Sequence, residues 1–252
     1  MTNVLSRLHP RLLAPALALV LLGGSALAEA QTAPAIAPDA QTEVAQMGKT
    51  LSTGGFSFQI HTIREYVDDN GQPLHIFHTI NAQVRRPDRL AMTAAGDDGT
   101  TKIAYDGKNL TLYSQETNKY LSIAVSGTLE DVLREASERL DTDFPLADLL
   151  ANDPAKAFLH GVIAGRVVGA ITVDGVPCLH MIFVQPPGIE LELWAEKTEQ
   201  AVPRRLIVTY RSLPGEPRFI AVMSDWKLGI NPTDSEFAFQ PPPGATMMEA
   251  PK

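Results

Sequence analysis

From Phe56 onward the chain alternates apolar and polar residues with a period of two, interrupted at short intervals by Gly, Asn or Asp. Successive strand side chains point to opposite faces, so this alternation demands an antiparallel sheet with one buried face. Phe56, Phe58 and Ile60 alternate with Ser57, Gln59 and His61. Asp68-Asp69-Asn70-Gly71 then turns the chain, and Leu74, Ile76, Ile80, Ala82 and Val84 share one face of a second long strand. The two runs read as a long hairpin that Pro87 ends. Leu90, Met92 and Ala94 resume the pattern; Gly96-Asp97-Asp98-Gly99 and Asp106-Gly107 supply the next turns of a meander.

The period changes after Gly127. Leu129, Val132, Leu133, Ala136 and Leu140 recur at helical spacing, behind a Thr128-x-x-Asp131 capping box with Asp in place of Glu. Pro145 is suited to start a second helical piece carrying Leu146, Leu149 and Leu150. Strands return from Val162, and Asp174-Gly175 between apolar runs predicts a type I′ turn. Ile189, Leu191 and Leu193, then Leu206, Val208 and Tyr210, then Phe219, Ala221 and Met223 mark further strands, the last ending at Trp226. Phe237 and Phe239 precede a Pro-rich tail. Val44, Met47 and Leu51 predict a short helix over 39–51. The expectation is a mainly β fold of about ten strands with a helical insert. It occupies one domain over 42–246, with a disordered linker over 29–41 and a flexible tail over 247–252.

The first residues carry an export signal. Arg7 and Arg11 form a basic head, Leu12 to Leu22 an apolar run too short to span a bilayer, and Ala26-Leu27-Ala28 a peptidase site. Cleavage after Ala28 is expected to leave a soluble secreted or periplasmic protein with no stable membrane insertion. Loss of the two arginines, with no acid removed, takes the formal net charge from −8 to −10. An acidic chain without a Lys/Arg run offers no electrostatic handle to nucleic acid or anionic headgroups. Cys178 is the one cysteine, so no internal disulfide forms, and it reads as a small buried hydrophobe.

Enzymatic readings find little support. His75 and His78 lie on opposite strand faces and cannot share a metal. His78 falls on the apolar face as an interior, hydrogen-bonded histidine, while His61 lies on the solvated one. Glu190 and Glu192 face water while Ile189, Leu191 and Leu193 face inward. No His-Glu-x-x-His, Gly-x-Ser-x-Gly or Ser-x-x-Lys pattern occurs. The chain is therefore expected to be no enzyme and to need no cofactor or metal; a hydrolase working through His78 or His180 is the least favoured alternative.

Arg85-Arg86-Pro87-Asp88-Arg89-Leu90 after a long hairpin, followed by Tyr105-Asp106-Gly107-Lys108-Asn109-Leu110-Thr111-Leu112-Tyr113, resembles the LolA-like superfamily of periplasmic carriers and sensors. Phe144-Pro145-Leu146-Ala147-Asp148-Leu149-Leu150, Gly175-Val176-Pro177-Cys178-Leu179-His180, Pro203-Arg204-Arg205-Leu206-Ile207-Val208 and Ser224-Asp225-Trp226 are similar to its branch of domain-of-unknown-function family 2092. The resemblance implies an unclosed, curved β-barrel with helices covering its concave face, and a cavity for lipid or lipoprotein. It also implies that Arg86 holds the helical lid closed. The strands here hold only two Trp, fewer aromatics than the carriers have.

The expected ligand is an acyl chain. Burying roughly 15 methylenes at about 0.8 kcal/mol each gives about 12 kcal/mol gross, much of it lost to ordering and lid displacement. The expected site comprises Phe56, Phe58, Ile80, Arg86, Met92, Leu129, Leu133, Met181 and Met223, where methionines suit a cavity of variable shape. The same methionines, with Phe56 and Phe58, would equally fill a tight core. The alternative role is an envelope sensor that binds a protein partner through its outer sheet or an edge strand.

Overall fold

A computed structural model of the chain describes residues 35–140 and 144–249. The export signal lies outside them. Helix α1 (Pro38–Leu51) leads into six strands: β1 (Gly55–Val67), β2 (Pro73–Arg85), β3 (Arg89–Gly96), β4 (Gly99–Tyr105), β5 (Asn109–Ser114) and β6 (Lys119–Ala124). Helix α2 (Leu129–Leu140), a 3-10 turn (Ala147–Leu150) and α3 (Pro154–Phe158) follow. Then come β7 (Ala164–Val173), β8 (Val176–Gln185), β9 (Ile189–Glu196), β10 (Pro203–Tyr210) and β11 (Arg218–Ile230). A second 3-10 turn (Asp234–Glu236) and the two-residue β12 (Thr246–Met247) complete the described chain.

All twelve strands form one sheet in the order β12-β6-β5-β4-β3-β2-β1-β11-β10-β9-β8-β7. Each neighbouring pair is antiparallel except β12 with β6. The two meanders join where β1 pairs with β11, Ile60 facing Met223 and Thr62 facing Ala221. Laid flat, twelve strands would span roughly 50 Å. Yet Ile123 of β6, Met181 of β8 and the buried faces of α1 and α2 share one hydrophobic core. The sheet must therefore curl around the helices. It does not close: β7 and the β6–β12 pair stand at opposite ends of the order. The chain must travel from β6 to β7, so helices α2 and α3 and the 3-10 turn between them cross the concave side, and that path explains why a helical insert occurs there.

Local chemistry accounts for each element. Asp174 and Gly175 both have positive φ, 48° and 82°, as a type I′ turn needs. Thr128 and Asp131 cap α2: Asp131 Oδ2 accepts from the Thr128 backbone N–H at 3.0 Å and from its hydroxyl at 2.8 Å. Helix α1 has Pro38 in its first turn and Lys49 in its last, and buries Ala40, Val44, Met47, Gly48 and Leu51. Gly48 lets α3 approach, since a Cβ there would meet the Ala155 Cβ at 2.6 Å and its backbone N at 2.7 Å.

Four expectations need correction. The sheet has twelve strands, not ten. Part of the expected linker is structured: the Ala37 N–H bonds the Gly165 carbonyl at 2.8 Å, and α1 starts at Pro38. The expected tail begins with Met247 in β12, and the Met248 N–H bonds the Tyr120 carbonyl at 2.7 Å. Pro145 opens no helix; α3 starts at Pro154, behind Asp153, whose side chain accepts from the Lys156 N–H at 3.0 Å.

Candidate functional site

The concave side is roofed by α1, α2, the first 3-10 turn and α3. One side chain ties several of these to the sheet. Arg86 follows the last residue of β2, in the turn before Pro87. Its Nε donates to the Leu51 carbonyl at 3.0 Å, at the end of α1. Its two terminal nitrogens donate to the Leu149 carbonyl at 3.1 Å and to the Leu150 carbonyl, at the end of the 3-10 turn. These are carbonyls left without partners where a helix stops. Burial lowers the Arg86 pKa to about 10, against a smaller raising influence from Glu130, so the group stays charged at neutral pH. The start of α2 is fixed separately: the Tyr105 hydroxyl donates to the Gly127 carbonyl at 2.8 Å, and the Leu129 N–H to the Pro87 carbonyl at 2.9 Å.

The eight apolar residues expected to line the site do converge on the concave core. Phe56, Leu129, Met181 and Met223 are almost completely buried there. Phe58 stacks on Trp226 with ring centroids 4.1 Å apart, Leu133 is buried in α2, and Ile80 and Met92 are partly buried against the same core. The hollow lies to one side of them. It is a 240 Å³ cavity between β8–β10 and the lid, walled by Ile189, Leu191, Leu206 and Val208 from the sheet and by Leu149 and Phe158 from the lid. Phe144, Pro145, Asp148, Gln185 and Tyr210 complete its wall. Leu191, Leu206 and Val208 were legible as the inward members of alternating strands, but nothing in their spacing marked them as facing space. Asp148 keeps contact with solvent; the protein crowding it raises its pKa, with His160 opposing and Glu130 adding.

Comparison with known proteins decides the family. Residues 40–250 match the family described as predicted periplasmic protein, DUF2092. The chain belongs to the DUF2092 family. No curated relative matches the chain. Among solved structures the DUF2092 chain is similar to LprF from Mycobacterium bovis (14% identity, TM-score 0.48, 79% of this chain and 97% of that one). It is also similar to an uncharacterized conserved protein from Thermus thermophilus (13%, 0.46, 83% and 98%). A third similar structure is the LolA superfamily protein NE2245 from Nitrosomonas europaea (11%, 0.40, 79% and 97%). The open, curved antiparallel sheet with helices across its concave side matches the unclosed, curved barrel that the Arg-Pro and Tyr-Asp-Gly motifs led us to expect.

Four histidines of this DUF2092 protein have side-chain partners. His78 bonds Asp98 at 2.6 Å, His75 lies 3.4 Å from Glu65, and His61 bonds the Thr79 hydroxyl at 3.1 Å. His180 bonds Glu192 at 3.0 Å and stacks on Trp194 at 4.1 Å. Glu190 pairs with Arg211 at 2.9 Å. Cys178 is buried; its thiol donates to the Val176 carbonyl at 3.4 Å, and burial raises its pKa, which leaves it protonated and a poor nucleophile. Among the described residues, no group of three or more His, Cys, Asp or Glu is arranged to hold a metal.

Proposed function

We propose that this protein is an exported, non-enzymatic carrier or chaperone that shelters an acyl chain of a lipid or lipoprotein on the concave side of its sheet. The observation that carries this reading is the hollow walled by Ile189, Leu191, Leu206, Val208, Leu149 and Phe158. Apolar side chains make up most of both its sheet side and its lid side, and it lies under a lid latched by one arginine. At 240 Å³ it is smaller than the roughly 300–1,000 Å³ of ordinary ligand sites. The described state is therefore the closed form, and the segment around Leu149 must shift to admit a whole chain. The filled core around Phe56, Met181 and Met223 then serves as the floor on which the lid rests, with Arg86 as the latch. Export through cleavage after Ala28 would deliver the protein to the periplasm.

The test uses cis-parinaric acid, which fluoresces when shielded from water, together with mass spectrometry of lipid released from gently purified protein. Saturable fluorescence is expected, abolished by Val208→Trp, which fills the hollow. Absence of both bound lipid and probe binding overturns the reading.

A second reading, a protein-binding envelope module, has one observation in its favour. Among the described residues, the outer edge of β7 is bonded only at Gly165, to residues 35–37, and Val168 and Ile171 are about half exposed beyond it. An added strand would fit that edge. A stoichiometric envelope partner, captured by the wild type and lost on Val168→Pro, is the outcome that would favour it.

A further inference from the structure

The sheet has a second hollow, on its convex face, with different chemistry. Polar alternates of β1 to β4 line much of it, Ser57, Gln59, Asn81, Gln83, Thr93 and Lys102, beside the small apolar Ala91 and Ala104. The chain after β11 crosses over them as a strap. Gln83 donates to Glu236 at 3.0 Å, and Arg85 donates to the Pro232 carbonyl at 2.6 Å while lying 5.4 Å from the centroid of the buried Phe237 ring. Phe239 packs on Tyr113 and Tyr120 at 5.6 and 5.3 Å, and β12 fastens the end of the strap to β6. Between strap and sheet lies a cavity of about 530 Å³, more than twice the concave one and within the usual range for ligands.

Its lining selects a class of ligand. Two lysines, Lys102 and Lys227, and two carboxylates, Asp225 and Glu236, line it, so the wall has no net charge to recruit a phosphate or a polycation. Neither lysine forms an ion pair among the described residues. Gln59 donates to Asn81 at 3.1 Å, which leaves the Asn81 amide as a donor and the Gln59 carbonyl as an acceptor. Hydroxyl groups both donate and accept, and a wall of amides, amines and carboxylates can satisfy them from both sides. Phe239, half-buried, adds an apolar surface of the kind the C–H face of a sugar ring needs.

The backbone is shaped to the same end. Asp225 and Trp226 together stand opposite Phe58, between the pairs Gln59–Ser224 and Ser57–Lys227. This bulge holds Asp225 in the left-handed region, φ 54°. It sends Trp226 to the concave side, where it stacks on Phe58, and keeps Asp225 and Lys227 on the convex wall. Bulges re-aim side chains in this way beside binding sites.

We propose that the groove under the C-terminal strap binds a short saccharide of no net charge. The site is distinct from the concave hollow, and the proposal does not rest on acyl-chain binding. Calorimetric titration of the exported chain with di-N-acetylchitobiose, cellobiose and maltose tests it, with a phosphorylated hexose as the charged comparison. At least one neutral disaccharide should bind saturably, with a dissociation constant between about 10 μM and 1 mM. Asn81→Leu and Asp225→Asn should each weaken that binding tenfold or more while leaving the melting temperature and cis-parinaric acid binding unchanged. Three outcomes overturn the proposal: no saturable binding of any neutral disaccharide, equal binding by both variants, or tighter binding of the phosphorylated sugar.

Discussion

Replacing Arg86 by Met removes the latch while keeping a side chain of similar length. The guanidinium makes three hydrogen bonds to carbonyls at the ends of α1 and the 3-10 turn. At about 1.5–3 kcal/mol for each bond to a charged group, the gross contribution is about 4.5–9 kcal/mol. Burial works against it: lowering the pKa from 12.5 to about 10 corresponds to about 3 kcal/mol against the charged form. A net loss of about 3 kcal/mol is therefore expected, or a melting temperature about 6–12 °C lower for a domain of this size. The loss should be local. Hydrogen exchange should speed up at the end of α1 and across residues 147–159, while β2 and β11 keep their protection. Arg86→Lys should recover less than half, because one ammonium cannot reach three carbonyls on two elements. At pH 5 to 9 the group is charged folded and unfolded, so its contribution should not vary with pH. A melting temperature for Arg86→Met within about 2 °C of wild type, or exchange rising evenly through the sheet, would refute the latch.

Gly48→Ala should destabilise by about 1–2 kcal/mol in urea unfolding, although alanine is the better helix former by about 1 kcal/mol, because the new methyl meets the Ala155 backbone. Asp131→Ala should cost about 1 kcal/mol by removing the cap of α2. Bonds from Thr128 hold the Asp131 carboxyl below its usual pKa, so this contribution is complete at neutral pH and fades as pH falls through that lowered value; acid titration of the variant should lack that component. Asp148 has the opposite sign. Its raised pKa makes the ionised form unfavourable in the fold, a cost that disappears as pH drops toward the ordinary carboxylate value. Asp148→Asn should raise stability at pH 7 and leave it unchanged below about pH 4, read by chemical denaturation at both.

What the sequence made legible was what period alone decides. Alternation at Phe56, Phe58 and Ile60 placed those side chains inward, and Asp174-Gly175 set its own turn. Thr128 and Asp131 marked the start of α2. The hollow escaped because its position depends on where the lid stops relative to Leu206 and Val208, a contact between residues about 50 apart in sequence. Phe56, Met181 and Met223 are fully buried in the core shared with the helices, and so became floor rather than wall. The strap escaped for a related reason. A Pro-rich composition reads as a tail, and its hold depends on Gln83, Arg85 and Tyr113, far back in the chain. Arg86 was singled out through the family motif, and the geometry supplied its three acceptors.

Asp225 shows how one inserted residue keeps two faces of one sheet distinct. Phe219, Ala221 and Met223 face the core, so uninterrupted alternation would turn Trp226 outward; the bulge resets the parity and Trp226 reaches Phe58 and donates to the Pro203 carbonyl at 3.0 Å. Two variants test this arrangement. Asp225→Gly keeps the extra residue and relieves a left-handed backbone, φ 54°, that costs a side chain about 1 kcal/mol, so it should be neutral to slightly stabilising. Trp226→Ala empties the place against Phe58 that the bulge gives the ring. The loss should be about 3 kcal/mol, the low end for truncating an aromatic in a core, because the ring is only half-buried. Urea midpoints of the two variants decide the matter. A Trp226→Ala midpoint equal to that of Asp225→Gly would mean that the ring contributes nothing on the concave side, and that the bulge does not serve to separate the apolar face from the polar one.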